Sequence, residues 1–194
     1  MRQRNLLIVF LATQNAWTAT YRGEAPRALW SRIKRATQLE HRYTQYLAII
    51  QSSGTGKSRM IDELSKEHLV IPLNLRGSRE TGLSFYVLSC SGLIHALEGY
   101  PPPDAEARGY LTVDDNPRRS RVRAAAFLRA VFQVALESVI EIKKSLKMDA
   151  FARAQIALSF SRLMSEGMTS DSHGAFRQQF YHQVFSRARQ VCWL

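Results

Sequence analysis

Residues 46–58 read Tyr46-Leu47-Ala48-Ile49-Ile50-Gln51-Ser52-Ser53-Gly54-Thr55-Gly56-Lys57-Ser58. The first five form a continuous apolar run, the pattern of a short strand buried on both faces of a parallel sheet. A glycine-bearing string then leads into a helical stretch, residues 58–67, and Leu69-Val70-Ile71-Pro72-Leu73-Asn74-Leu75 supplies a second apolar run. Strand, turn, helix and strand in that order make a βαβ unit. The expected fold class is therefore α/β: a partial P-loop NTPase-like parallel sheet with a helical C-terminal half. Pro72 donates no backbone hydrogen bond, which places the second strand at an edge or a bulge.

The string between strand and helix carries the chemistry. Glycines at 54 and 56 let the backbone curl without a Cβ in the way, so that successive N–H groups, including those of Ser53 and Thr55, point inward as an anion cradle. The helix N-terminus adds its positive end beneath the phosphates. Lys57 would reach the β- and γ-phosphates, the Ser58 hydroxyl would complete a Mg²⁺ shell, and Arg59 lies nearby. The expected cofactors are a nucleoside triphosphate, with ATP as the first candidate, and Mg²⁺. The usual pattern GxxxxGK[ST] has glycine where this chain has Gln51, which alters how the strand enters the loop but leaves the cradle and the lysine. The competing interpretation is an ordinary Gly-rich turn with a capping serine.

Taken with its flanks, the region resembles a known group. Trp30, the apolar run 46–50, the string from Gln51 to Arg59, Ile61-Asp62-Glu63-Leu64 and Val70-Ile71-Pro72-Leu73 look like the NTPase module of the Crinkler and retrotransposon-hot-spot class, as found in expanded sets of fungal proteins. Gly99-Tyr100-Pro101-Pro102-Pro103-Asp104 is similar to a segment that follows the second strand in that group. The resemblance covers about the first two thirds of the chain and implies a P-loop NTPase of the additional-strand type, often coupled to a nuclease-like or other effector domain. No such effector domain is recognisable. It also implies that residues 83–99 are an insertion or a translated unspliced intron.

Outward from this region, the 194 residues divide into an N-terminal segment 1–27, a P-loop βαβ region 28–117 containing the insertion 83–99, and a helical region 118–194. Residues 28–44 repeat Trp30, Ile33, Leu39 and Tyr43 at helical spacing, with Arg32, Lys34 and Arg35 between them. Asp104 to Leu111 suits a short helix. Arg121 to Leu146 reads as a long helix so apolar around its circumference that it should be largely buried. Asp149 can cap the next helix and Gly167 close it, and residues 172–193 give a last helix with Phe176, Phe180, Val184 and Ala188 on one face. Val191-Cys192-Trp193-Leu194 is still apolar and uncapped, the mark of a product truncated at its C-terminus.

Composition narrows the possible partners. Lys and Arg number 27 against 16 acidic residues, a formal charge of +11, which favours a phosphate-bearing ligand or a polyanion. Cys90 and Cys192 form no CxxC pair and the five histidines show no metal-ligand spacing, so a disulfide framework and a zinc ribbon are excluded as organising principles. A reducing, intracellular compartment fits. Residues 2–12, with Arg2 and Arg4 before Leu6-Leu7-Ile8-Val9-Phe10-Leu11-Ala12, form a weak signal-like stretch that keeps secretion open; otherwise they pack as a short strand or helix. No apolar run is long enough for a transmembrane segment.

An ATPase also needs a second-strand carboxylate to hold the metal through water. Tyr110-Leu111-Thr112-Val113-Asp114-Asp115 has that form, with Asp114 on the metal and Asp115 near the water; the simpler alternative is that Asp114-Asp115-Asn116-Pro117 turns the chain into the long helix. Arg118, Arg119, Arg121, Arg123 and Arg129 make either a nucleic-acid or nucleotide contact or a solvated helical turn. The expected function is Mg-nucleoside triphosphate binding with weak or absent hydrolysis. The alternatives are a basic nucleic-acid-binding module and a degenerate paralogue that binds nothing.

Overall fold

A computed structural model describes residues 19–38, 49, 57–75, 103–112, 116–146, 153–168 and 172–191. Six helices run through them: α1 Ala25–Thr37, α2 Lys57–Glu67, α3 Ala105–Thr112, α4 Pro117–Ser145, α5 Arg153–Ser165 and α6 Ala175–Val191. Helix accounts for 77% of the described residues and none lies in a strand, so the expected α/β parallel sheet is overturned. The expected first strand 46–50, the string 51–56, the stretch 2–12, the insertion 83–99 and Asp149 fall outside the described residues, apart from Ile49, which belongs to no regular element.

The second expected strand shows why the sheet fails there. Residues 69–75 are irregular, and their backbone groups find partners other than a ladder. The Pro72 carbonyl accepts from the Tyr181 hydroxyl at 2.5 Å. Asn74 N–H donates to Asp104 Oδ2 at 2.7 Å, and its carbonyl accepts from the Asp104 N–H at 2.8 Å. With Pro72 offering no donor and the groups of Asn74 committed to Asp104, the segment's hydrogen bonds go to the helical body.

The helices begin and end where local chemistry directs. Asn116 caps α4, its Oδ1 accepting from Arg118 N–H at 2.9 Å, and Pro117 follows where its missing donor costs nothing. Gly167, at φ +69°, closes α5 in the left-handed region. Gly174, just before α6, is held against that end: a Cβ there would sit 1.7 Å from the Glu166 carbonyl oxygen.

One core joins α3, α4, α5 and α6. Phe127, Ala130, Val131 and Val134 of α4 pack with Phe180, Tyr181, Val184, Phe185 and Ala188 of α6, and Phe160 and Met164 of α5 close the layer. Phe180, Val184 and Ala188 are buried as their spacing predicts, with Phe176 partly so. Tyr110, Phe127 and Phe185 form a triangle of rings with centroids 5.9 to 6.1 Å apart, and Phe160 meets Phe180 edge-on at 5.9 Å. Helix α2 leans on α5, where Ser65 and Ser161 hydroxyls meet at 2.8 Å, and α1 leans on α2 through the stacked Trp30 and His68 rings, 3.7 Å apart.

Helix α4 corrects a second expectation. It is not largely buried: Leu128, Phe132 and Leu136 are each more than half exposed, at 53%, 65% and 61%. Only the side bearing Phe127, Val131 and Val134 faces the core.

Two measurements check this packing. Phe160→Ala should lower the unfolding free energy by about 3–5 kcal/mol, seen as a lower urea midpoint at unchanged slope. Gly174→Ala should lower the thermal midpoint as well, because the clash is with backbone.

Candidate functional site

Chemistry-bearing side chains gather in three places. The first is the start of α2. Lys57 is its first residue and Ser58 its second, so the string ending in Gly54-Thr55-Gly56 leads directly into a helix N-terminus. Ser53, Gly54, Thr55 and Gly56 themselves lie outside the described residues. The first turn contains no acidic residue and carries both Lys57 and Arg59. Two cations at the positive end of a helix dipole disfavour each other and the dipole, an arrangement that a bound anion relieves. Arg59 is drawn toward the preceding chain: its guanidinium donates to the Ala19 carbonyl and lies 5.6 Å over the Tyr21 ring. It thereby braces the N-terminal segment against the first turn of α2.

The second place is the start of α4. Arg118, Arg119 and Arg121 are exposed, and none forms a salt bridge among the described residues. Arg123 is half-buried with its guanidinium 5.0 Å over the Tyr110 ring, so it serves the α3–α4 contact. Asp114 and Asp115 lie outside the described residues, and Asn116 next to them caps α4.

The third place was not visible in the sequence. Asp104, 5% exposed at its side chain, accepts from Arg177 Nη2 at 2.7 Å and from Asn74 N–H at 2.7 Å, and His173 Nε2 lies 3.0 Å from its other oxygen. Arg177 is itself 2% exposed and stacks 5.6 Å over the Tyr181 ring. A cleft of about 560 Å³ opens beside this group, bounded by Pro103, Glu106, Gln178, His182 and Phe185. Burial, with help from the Arg177 cation, holds the His173 imidazole below the ordinary histidine range against the pull of Asp104. Burial and the Asp104 charge push the Tyr181 phenol well above its usual range.

Both His173 ring nitrogens are closed off from solvent. The Tyr181 hydroxyl is spent on Pro72, and both Asp104 oxygens face the basic groups and Asn74. The cluster fastens residues 72–74 and the start of α3 to α6.

No helix among the described residues is long and apolar enough to cross a membrane. No protein-family model, curated protein or solved structure matches the chain.

The buried pair gives a double-mutant prediction. Asp104→Ala strands the Arg177 cation and should cost about 3–5 kcal/mol of stability, while the joint replacement Asp104→Leu with Arg177→Met should cost much less. His173 gives a pH prediction. Its folded-state affinity for a proton is below that of the unfolded chain, whose histidines titrate near 6.5. As pH falls through that value the unfolded chain takes up the proton first, so stability declines on the acid side and levels once the folded imidazole also protonates. His173→Gln should flatten this part of a stability-against-pH curve measured by urea unfolding.

Proposed function

We propose that the chain binds the phosphates of a nucleoside triphosphate, with Mg²⁺, at residues 53–58. One observation carries this: the Gly54-Thr55-Gly56 string runs straight into the first turn of α2, a turn with two cations and no acid. An anion cradle is a local device of glycine-bearing backbone, helix N-terminus and lysine, and phosphate binding by it does not depend on a neighbouring sheet. The resemblance of residues 51–59 to the Crinkler-class NTPase loop points the same way. Lys57 would take the terminal phosphates and the Ser58 hydroxyl the metal, which when bound would neutralise charge between the phosphates. The candidate metal carboxylates Asp114 and Asp115 lie outside the described residues, and hydrolysis is proposed to be weak or absent.

A second function has its own support. Arg118, Arg119 and Arg121, exposed at the start of α4 and in no salt bridge among the described residues, suit the phosphates of a nucleic acid.

Titration with a fluorescent ATP analogue and Mg²⁺ separates the two. Lys57→Ala should weaken nucleotide binding by at least about 100-fold, a loss typical of removing a buried charge-assisted phosphate contact, with the far-UV spectrum unchanged. Equal affinity in the variant would remove the proposed site. Nucleic-acid affinity, if it rests on the arginines, should fall steeply with salt, with the log–log slope decreasing by about one for each arginine replaced.

A further inference from the structure

Helix α4 has two apolar faces. At about 100° per residue, Phe127, Val131 and Val134 project toward the core, and the opposite side carries Ala125, Phe132 and Leu136, with Leu128 and Ile140 on either side of that line. Leu128, Phe132, Leu136 and Ile140 recur every fourth residue and are all exposed. Burying such residues only at their edges leaves most of their hydrophobic free energy unused, and a contiguous apolar face of this kind on a folded protein marks a contact surface.

The charges around the face indicate what covers it. On the same side of the helix stand Arg118, Arg121 and Arg129 toward the N-terminal end and Lys143 toward the C-terminal end. The only acids on α4, Glu137 and Glu141, are engaged within the chain. Glu137 forms a two-pronged pair with Arg187, both bonds 2.7 Å, and Glu141 pairs with Lys144 at 2.9 Å. The occupant is therefore anionic. A second copy of this chain is disfavoured: antiparallel pairing sets Arg118 and Arg121 against Lys143, and parallel pairing sets arginine against arginine. A partner helix would be recognised by charges running along the flanks of the apolar stripe. Here the flank beyond Leu128 carries Ala135 and Ile142 and no charge, the flank beyond Ile140 carries Gln133, Lys144, Arg119 and the paired Glu137, and the cations on the apolar side itself sit at the two ends and at Arg129, so no two-sided row of charges frames the stripe.

We propose that the outer face of α4 docks on an anionic lipid bilayer, lying in its plane. Phe132 and Leu136 enter the acyl boundary with Leu128 and Ile140 beside them, while Arg118, Arg121, Arg129 and Lys143 reach lipid phosphates. Long basic side chains suit this arrangement, since their stems cover apolar surface while their charges stay at headgroup level. The contact is peripheral.

The test is co-sedimentation of the full chain with vesicles of phosphatidylcholine containing about one third phosphatidylserine, against vesicles of phosphatidylcholine alone. The wild-type chain should bind the anionic vesicles and not the neutral ones. Phe132→Ser combined with Leu136→Ser should reduce that partitioning by about tenfold or more. Because both side chains are exposed, the thermal midpoint should not fall. Lys57→Ala should bind vesicles as wild type does, so failure of nucleotide binding and failure of lipid binding are read separately. Binding to anionic vesicles that survives the serine substitutions would overturn the proposal in favour of charge alone. Equal binding to neutral vesicles, or none to either, would overturn it too. A dimer that the serine variant dissociates would assign the face to a second copy instead.

Discussion

The buried contact between Asp104 and Arg177 organises the molecule. A carboxylate and a guanidinium withdrawn from water are tolerated only where geometry and additional hydrogen bonds compensate for their lost hydration. Here Asn74 N–H supplies one of those bonds, and the Arg177 cation gains the face of Tyr181. Satisfying that requirement fixes α6 against the start of α3 and draws residues 72–74 across both. The aromatic layer of Tyr110, Phe127, Phe160, Phe180 and Phe185 then packs at a registry already determined, with the Tyr110 hydroxyl donating to the Ala188 carbonyl at 3.2 Å. Hydrophobic burial supplies most of the stabilisation, and the polar contact selects which burial occurs.

The helical segments were legible in the sequence because their signals are local. Gly167 as a stop and the spacing of Phe180, Val184 and Ala188 correspond to observed features. The sheet was misread because a five- to seven-residue apolar run has no period of its own. Residues 69–75 are as consistent with a strand as with a strap laid over helices, and what decides is whether their N–H and C=O groups meet another strand or, as here, Tyr181 and Asp104. Those partners lie far away in sequence, and nothing near Pro72 announces them. The burial of α4 was misjudged for a related reason: periodicity shows that a helix is apolar all round but not how many neighbours the fold will provide.

The candidate sites divide along the same line. A cradle for phosphate is a short-range pattern, so Gly54, Gly56, Lys57 and Ser58 could be picked out from spacing alone. The group of Asp104, His173 and Arg177 could not, because its members are brought together only by folding: in the sequence Asp104 stands out only as the last residue of the Gly99–Asp104 segment at the start of a short helix, and His173 and Arg177 do not stand out at all. Arg59 belongs between the two cases. Its position beside the loop suggested phosphate, whereas Tyr21 and Ala19 engage it through a contact that no spacing rule describes.

The strap across α6 also bears on how the protein is made. The Tyr181 hydroxyl and the Pro72 carbonyl are 109 residues apart in the chain, and Arg177 meets Asp104 across 73. During synthesis the strap and its aspartate emerge long before the helix that receives them. At about 5–20 residues per second the early half must wait several seconds with Ile71 uncovered. Contacts so distant along the chain also slow folding once synthesis has delivered them. Through that interval the surplus of positive charge acts to keep unfinished chains apart.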